Sequence, residues 1–422
     1  MLINIYPLPR KVMSVVFFML CASLFVLAKP NGDPFEAYLY STPKIKEVLS
    51  EKQKGSGVSA IIIKKFIFTS AVNGNSVYAI MAQPQQEGKY PALLILHGGG
   101  SKAEDVAHHV EEYAQRGYVA ICFDMPGICN AQKTPHSDGL WKSQPEGEGP
   151  RFEISEGLQH STLLDAEVAG IEVFNLISSQ ANVDTKKIGI TGFSWGGYST
   201  TFLSGILGKR VKAAYSVFGC GYYEKGSFWS KLIADLPDAI RASWLEYFDA
   251  GRRASEMKAP YFLEASSNDT FFWPEAVSAT LAAIRAEKNH VWDPNFNHKQ
   301  MPAGPTMQKI YFDYYLKGIG RPFGSIRIAR EKVQADGSKE ITLLVNMPKN
   351  ISVASVMLYY SESTKSWQDR TWIPITAVAQ SGNYYTLTIP PDLLKKPLDY
   401  YAYVVDNRTV AVASDMVQYK PQ

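Results

Sequence analysis

The alternation of apolar and polar residues changes character several times along the chain. "FEAYLYSTPKIKEVLSEK" (35–52) reads as helical, so residues 29–57 form an expected N-terminal helical segment. Two β-rich runs follow, "VSAIIIKKFIFTS" (58–70) and "VYAIMAQP" (77–84), with Asn73-Gly74 between them as a hairpin turn signal. "PALLILHGGG" (91–100) and "YVAICFDMPG" (118–127) are short, continuous apolar runs of the kind buried on both faces of a sheet, and the amphipathic "DVAHHVEEYAQRG" (105–117) separates them. Strand, helix and strand then repeat through "STLLDAEVAGIEVFNLISSQ", "KIGITGF", "WGGYSTTFLSGILG" and "VKAAYSVFGC". After a helical stretch (230–251) come "APYFLEASSND", "PEAVSATLAAIRAEK", "NHVWDPNFNH" and "TMQKIYFDYYLKGIG". Such alternation predicts an α/β fold with a mostly parallel sheet and crossover helices on both faces, over residues 58–320.

Two segments break that rhythm. Residues 128–160 lose all periodicity, and a stretch of this length inside a compact domain predicts a lid-like, substrate-covering insertion. Beyond Arg321 the period switches to two, and about seven short strand-like runs predict a small all-β sandwich over residues 321–422.

Composition adds limits. With 46% hydrophobic and 20% charged residues in a chain of 422, there is enough apolar material for a large core and a second module. A net charge of +3 and no dense Lys/Arg stripe exclude a nucleic-acid footprint. Arg10 and Lys11 precede the apolar run Val12 to Ala28, the pattern of a cleaved secretory signal peptide (1–28), with a retained anchor as the alternative. A periplasmic or secreted location is therefore expected, with no membrane span in the mature chain. Cys122, Cys129 and Cys220 then remain, which permits at most one disulfide, and whether Cys129 and Cys220 pair stays open. Neither a Cys-x-x-Cys pair nor a His-Glu-x-x-His cluster supports a metal, and no cofactor is expected.

The chemistry centres on "TGFSWGGY" (191–198). Ser194 stands in a Gly-x-Ser-x-Gly motif between a strand and a helix, where a strained turn exposes the hydroxyl. A serine hydroxyl needs an imidazole to take its proton and a carboxylate to orient that imidazole. In the expected order of serine, acid and histidine, Asp269 and His298 each follow a strand. Glu264 lies inside a strand, Glu224 comes too early, and His290 is strand-embedded. The Trp195 N–H, at a helix N-terminus, and the backbone of Gly98 and Gly99 in "HGGG" are the candidate oxyanion donors. Trp229, Trp273 and Trp292, with Trp195, are candidate aromatic platforms for a sugar ring.

"HGGG", "GFSWGGY", "NDTFFWP" and the histidine of "PNFNH", in that order, resemble the α/β-hydrolase superfamily, particularly its dienelactone-hydrolase-like and acetyl-xylan-esterase-like secreted members. The resemblance covers about residues 58–318 and implies an acyl-enzyme on Ser194, with His298 as base, Asp269 as its orienter and a carbohydrate ester as substrate. One departure stands out: dienelactone hydrolases proper use a cysteine nucleophile. "GFSWGGY" is also similar to the motif of prolyl-oligopeptidase-like peptidases, which leaves an exopeptidase as the alternative. Those enzymes carry a propeller ahead of the catalytic domain, and the short stretch before the first strand here favours an esterase. A non-catalytic polysaccharide- or partner-binding protein is the third reading.

Overall fold

The computed structural model describes residues 32–145 and 147–421, so the apolar leader lies outside the described residues. A nine-stranded sheet runs in the order β1-β2-β3-β5-β4-β6-β7-β8-β9. Its strands are β1 (Lys44–Lys54), β2 (Ile61–Thr69), β3 (Ser76–Pro84), β4 (Tyr90–Leu96), β5 (Val119–Phe123), β6 (Val183–Phe193), β7 (Ala213–Val217), β8 (Tyr261–Ser266) and β9 (Lys288–Asp293). From β5 to β9 all neighbours pair in parallel, and β1, β2 and β3 add an antiparallel edge. The helices are α1 (Ala103–Gln115), α2 (Thr162–Ser178), α3 (Trp195–Leu207), the short α4 (Ser230–Asp235), α5 (Asp238–Tyr247) and α6 (Ala250–Ala254), then α7 (Pro274–Ala283) and α8 (Gly304–Phe312). This is the α/β-hydrolase architecture.

The central parallel strands read as apolar runs because both of their faces are covered: β4 is buried from Pro91 to Leu96 and β5 and β7 along their whole lengths. Asn73 and Gly74 both take positive φ (52° and 63°), the left-handed pair at the centre of a tight turn from Val72 to Asn75, within the loop that joins β2 to β3.

The expected helical segment over residues 29–57 is a correction. Among the described residues of that segment, helical geometry is confined to the short 3-10 turn Glu36–Tyr38 and the start of another at Gly57, and Lys44–Lys54 forms β1, paired antiparallel with β2. Local preference lost to tertiary pairing here. As an edge strand, mostly exposed and studded with Lys and Glu, β1 also protects the sheet against pairing with a second chain.

The described residues of 128–160 hold only short 3-10 turns as regular elements, yet they are anchored. Ser137 donates to Asp124 Oδ2 (2.8 Å) and accepts from the Tyr78 N–H (2.9 Å), while Asp138 pairs with Ser76.

Past residue 324 lie two antiparallel sheets. One contains β10 (Ser325–Val333), β11 (Lys339–Asn346), β14 (Val378–Ala379) and β15 (Tyr384–Ile389). The other contains β12 (Val353–Glu362), β13 (Ile373–Thr376), β16 (Leu398–Asp406), β17 (Ala411–Ala413) and β18 (Val417–Tyr419). This unit docks on β9 and the loop after it: the Trp292 indole donates to the Ser414 carbonyl (3.2 Å), and the Asn295 side chain bonds both backbone groups of Trp372 (2.9 and 2.8 Å).

Behind the sheet's centre, Glu167 on α2 is fully buried against the Ser199 hydroxyl on α3. Burial pushes its carboxyl up to about 8 from an ordinary 4.5. Between those two values the folded chain holds a proton that the unfolded chain has released, so this group's contribution to stability falls as pH rises. Glu167→Gln removes that dependence. Its melting temperature relative to the wild type therefore climbs by a few degrees between pH 5 and pH 8.5 in differential scanning calorimetry, whereas a constant offset would contradict the assignment.

Candidate active site

Ser194 occupies the turn between β6 and α3 with φ 56° and ψ −119°, a conformation that L-residues adopt only under constraint. The constraint is visible. The Ser194 N–H donates to the Val217 carbonyl on β7 (2.9 Å), and the Tyr198 N–H returns to the Ser194 carbonyl (2.9 Å). Gly196 makes the tight turn fit, since a Cβ there would stand 2.6 Å from the His97 carbonyl oxygen. The side chain is left half-exposed at the rim where β4, β6, β8 and β9 all end.

Opposite it, His298 Nε2 lies 2.9 Å from Ser194 Oγ, and His298 Nδ1 lies 2.9 Å from Asp269 Oδ2. An ionised carboxylate only accepts, so Nδ1 carries the proton and the Nε2 lone pair faces the hydroxyl. Asp269 is buried, and its other oxygen accepts the Phe271 and Phe272 N–H groups (2.6 and 3.1 Å). The imidazole, 23% exposed, sits among Phe218, Phe271 and Phe272 with ring centroids 4.9, 4.9 and 5.8 Å away. A polar clamp fixes the two loops to each other: Asn297 Oδ1 accepts from the N–H and hydroxyl of Thr270 (2.9 and 2.8 Å), and the Asn297 N–H donates to Asn268 Oδ1 (3.1 Å). The structure thus brings Ser194, His298 and Asp269 into one hydrogen-bonded chain.

The glycine loop after β4 closes the other side. A Cβ at Gly98 would stand 3.4 Å from Ser194 Cβ, and one at Gly99 would strike the Trp195 ring at 2.6 Å, so bare backbone lines the approach to the hydroxyl. As the first residue of α3, Trp195 has an N–H without an intrahelical acceptor. His97 stiffens this loop in a way that the motif alone does not reveal. Fully buried, it donates from Nδ1 to the Gly98 carbonyl (2.8 Å) and accepts the Met125 N–H at Nε2 (3.0 Å), and burial lowers its pKa to about 4, so the ring is neutral.

The tryptophan platforms need correction. Trp292, on β9, is fully buried against the C-terminal unit, with its indole donating to the Ser414 carbonyl, so it offers no open face. Trp229 borders the site but is 2% exposed, packed between the rings of Trp195 and Tyr223 (both 4.9 Å), so it offers no open face. Trp273 alone of the three keeps partial exposure, and its N–H donates to the Thr270 carbonyl (3.0 Å). Cys122, Cys129 and Cys220 are free, buried thiols, and burial raises the pKa of each.

Sequence reasoning missed the pair Glu148–Arg151. Glu148 Oε2 accepts the indole N–H groups of Trp195 and Trp229 (each 3.1 Å) and pairs with Arg151, whose guanidinium lies 4.7 Å from the Trp195 ring centre. Both residues line a cavity of about 270 Å3 that starts at Gly99 and Gly100. Only the unbroken polarity of "PEGEGPR" marked the stretch in the sequence.

Residues 77–291 match the model of the dienelactone hydrolase family. Human dipeptidyl peptidase 8 is 25% identical over 226 residues, 49% of this chain but 22% of that protein, and its mouse counterpart matches equally. The chain thus spans about a fifth of the length of the curated relatives it matches. Among solved structures, the acetyl xylan esterase from Paenibacillus sp. R4 is similar at a TM-score of 0.54 and 17% identity, over 66% of this chain and 92% of that one. Acetyl xylan esterase 1 from Thermoanaerobacterium sp. JW/SL YS485 gives 0.52 and 18% with the same coverage, and at such identities the likeness is one of fold.

Proposed function

Because the chain belongs to the dienelactone hydrolase family and is therefore a hydrolase, we propose that it is a serine esterase that removes acyl groups from a carbohydrate through an acyl-enzyme on Ser194. The observation that carries this reading is the pair of 2.9 Å contacts linking Ser194, His298 and Asp269. His298 Nε2 takes the hydroxyl proton as Ser194 Oγ attacks the ester carbonyl, and Asp269 stabilises the imidazolium that forms. Negative charge on the carbonyl oxygen meets the Trp195 N–H and the Gly98–Gly99 backbone. Collapse expels the alcohol, which takes the proton from His298. Water, deprotonated by the same nitrogen, then releases the acid and regenerates Ser194.

The family's cysteine nucleophile has no counterpart among the described residues: serine stands at the elbow, and the three buried thiols, their pKa values raised, lack the thiolate character such chemistry needs. The esterase reading is favoured over the peptidase one by extent of likeness, since the structural match covers 92% of each acetyl xylan esterase whereas the sequence match covers 22% of dipeptidyl peptidase 8. The apolar leader supports action outside the cytoplasm.

A panel of acetylated and feruloylated saccharides, assayed beside an aminoacyl p-nitroanilide, tests the reading. Acid release from a saccharide ester exceeds amide cleavage by at least about 100-fold in kcat/KM. The reverse order would assign the site to a peptidase.

A further inference from the structure

Glu148 is a carboxylate held in place by groups that do not use all of it. Its Oε2 is saturated by Trp195, Trp229 and Arg151. Its Oε1 has no partner among the described residues, and 35% of the side chain is exposed. Arg151 is committed elsewhere as well: it is 5% exposed, and its Nε donates to the Gly127 carbonyl (3.2 Å). Glu148 lines the cavity that opens beside Gly99, together with Asn130, Trp141 and Gln144. At about 270 Å3 this space is smaller than the roughly 300–1,000 Å3 of drug-sized sites, and it suits one ring rather than several.

Three donors from three separate elements fix the Glu148 side chain before any ligand arrives, so a contact at Oε1 carries little further entropic cost. The Arg151 guanidinium balances its charge, so the wall has no surplus negative charge to draw an ammonium group. What remains is a directional acceptor for a neutral donor. We propose that Glu148 Oε1 accepts a hydroxyl of the sugar ring of the substrate and is the residue that selects a polyhydroxylated ester over a simple one. This rests on the saccharide-esterase reading above.

Glu148→Gln tests the proposal. The Gln carbonyl remains with the three donors, and its NH2 replaces the acceptor facing the cavity. The ratio of kcat/KM for monoacetylated xylose to kcat/KM for p-nitrophenyl acetate then falls by about 10- to 100-fold, carried mainly by KM. On deoxy analogues of the acetylated sugar, the analogue lacking the contacted hydroxyl shows no further loss in the variant. Glu148→Asp, which withdraws the oxygen while keeping its charge, shifts the ratio the same way, and near-ultraviolet circular dichroism, to which the packed Trp195 and Trp229 rings contribute, reports whether the wall is intact in either variant. Equal losses on both esters, or an unchanged ratio in an enzyme that does hydrolyse the sugar ester, would overturn the Glu148 assignment and leave the esterase reading standing. A loss confined to an aminoacyl anilide would assign the oxygen to an ammonium group instead. A wild type active on p-nitrophenyl acetate but inert on acetylated sugars would overturn both.

Discussion

Replacing Ser194 with alanine lowers kcat for p-nitrophenyl acetate by about 10⁴- to 10⁶-fold and leaves thermal stability within a degree or two of the wild type. The substitution deletes one oxygen. The backbone at φ 56° is held by Val217 and Tyr198 and not by the hydroxyl, and alanine meets the same Cβ constraints as serine, so the turn survives. What disappears is the atom 2.9 Å from His298 Nε2, and with it the covalent route. The remaining activity is what the oxyanion donors and substrate binding provide to a direct attack by water. A loss smaller than tenfold, measured on enzyme free of wild-type contamination, would remove Ser194 from the reaction.

Asp269→Asn produces the second large effect, about 10⁴-fold in kcat, with KM changed little. Its Oδ1 equivalent still accepts from the Phe271 and Phe272 N–H groups, so the loop keeps its shape. The amide NH2 then faces His298 Nδ1, and donor against donor is repulsive. The imidazole answers by moving its proton to Nε2, where it can no longer accept the hydroxyl of Ser194. The fold is preserved and the tautomer is wrong. Steady-state kinetics, with near-ultraviolet circular dichroism as the check on packing, separates this outcome from simple unfolding. A variant retaining more than about a tenth of wild-type kcat would show that another group orients the imidazole.

The parts of this molecule that could be read from sequence are those in which local chemistry and global position agree. The strands β4, β5 and β7 and the second half of β6 are apolar runs because both their faces are buried, and that signal survives in one dimension. Ser194, Asp269 and His298 each lie just past such a strand, and parallel strands bring their ends to one rim, so chain order and turn chemistry were enough to name them. The failures share another cause. Lys44–Lys54 pairs with β2 at an edge where solvent tolerates charge, so its composition said little about its geometry. Whether a tryptophan offers an open ring depends on what packs against it, and the partners of Trp292 and Trp229 include Ser414, 122 residues away, and Glu148, 81 residues away. Glu148 itself lies in a stretch with no period, and its meaning comes wholly from contacts made across the fold. For the same reason, the clamp between Asn297, Thr270 and Asn268 becomes visible only once two loops have met.

The central claim is that one hydroxyl in this chain is nucleophilic because an oriented imidazole stands beside it. Intact-protein and peptide mass spectrometry after treatment with a fluorophosphonate tests it most directly. The account predicts a single phosphonyl adduct located on Ser194, formed rapidly in the wild type and absent from the Ser194→Ala protein. No adduct on the folded wild-type enzyme, or one on a residue other than Ser194, would contradict it.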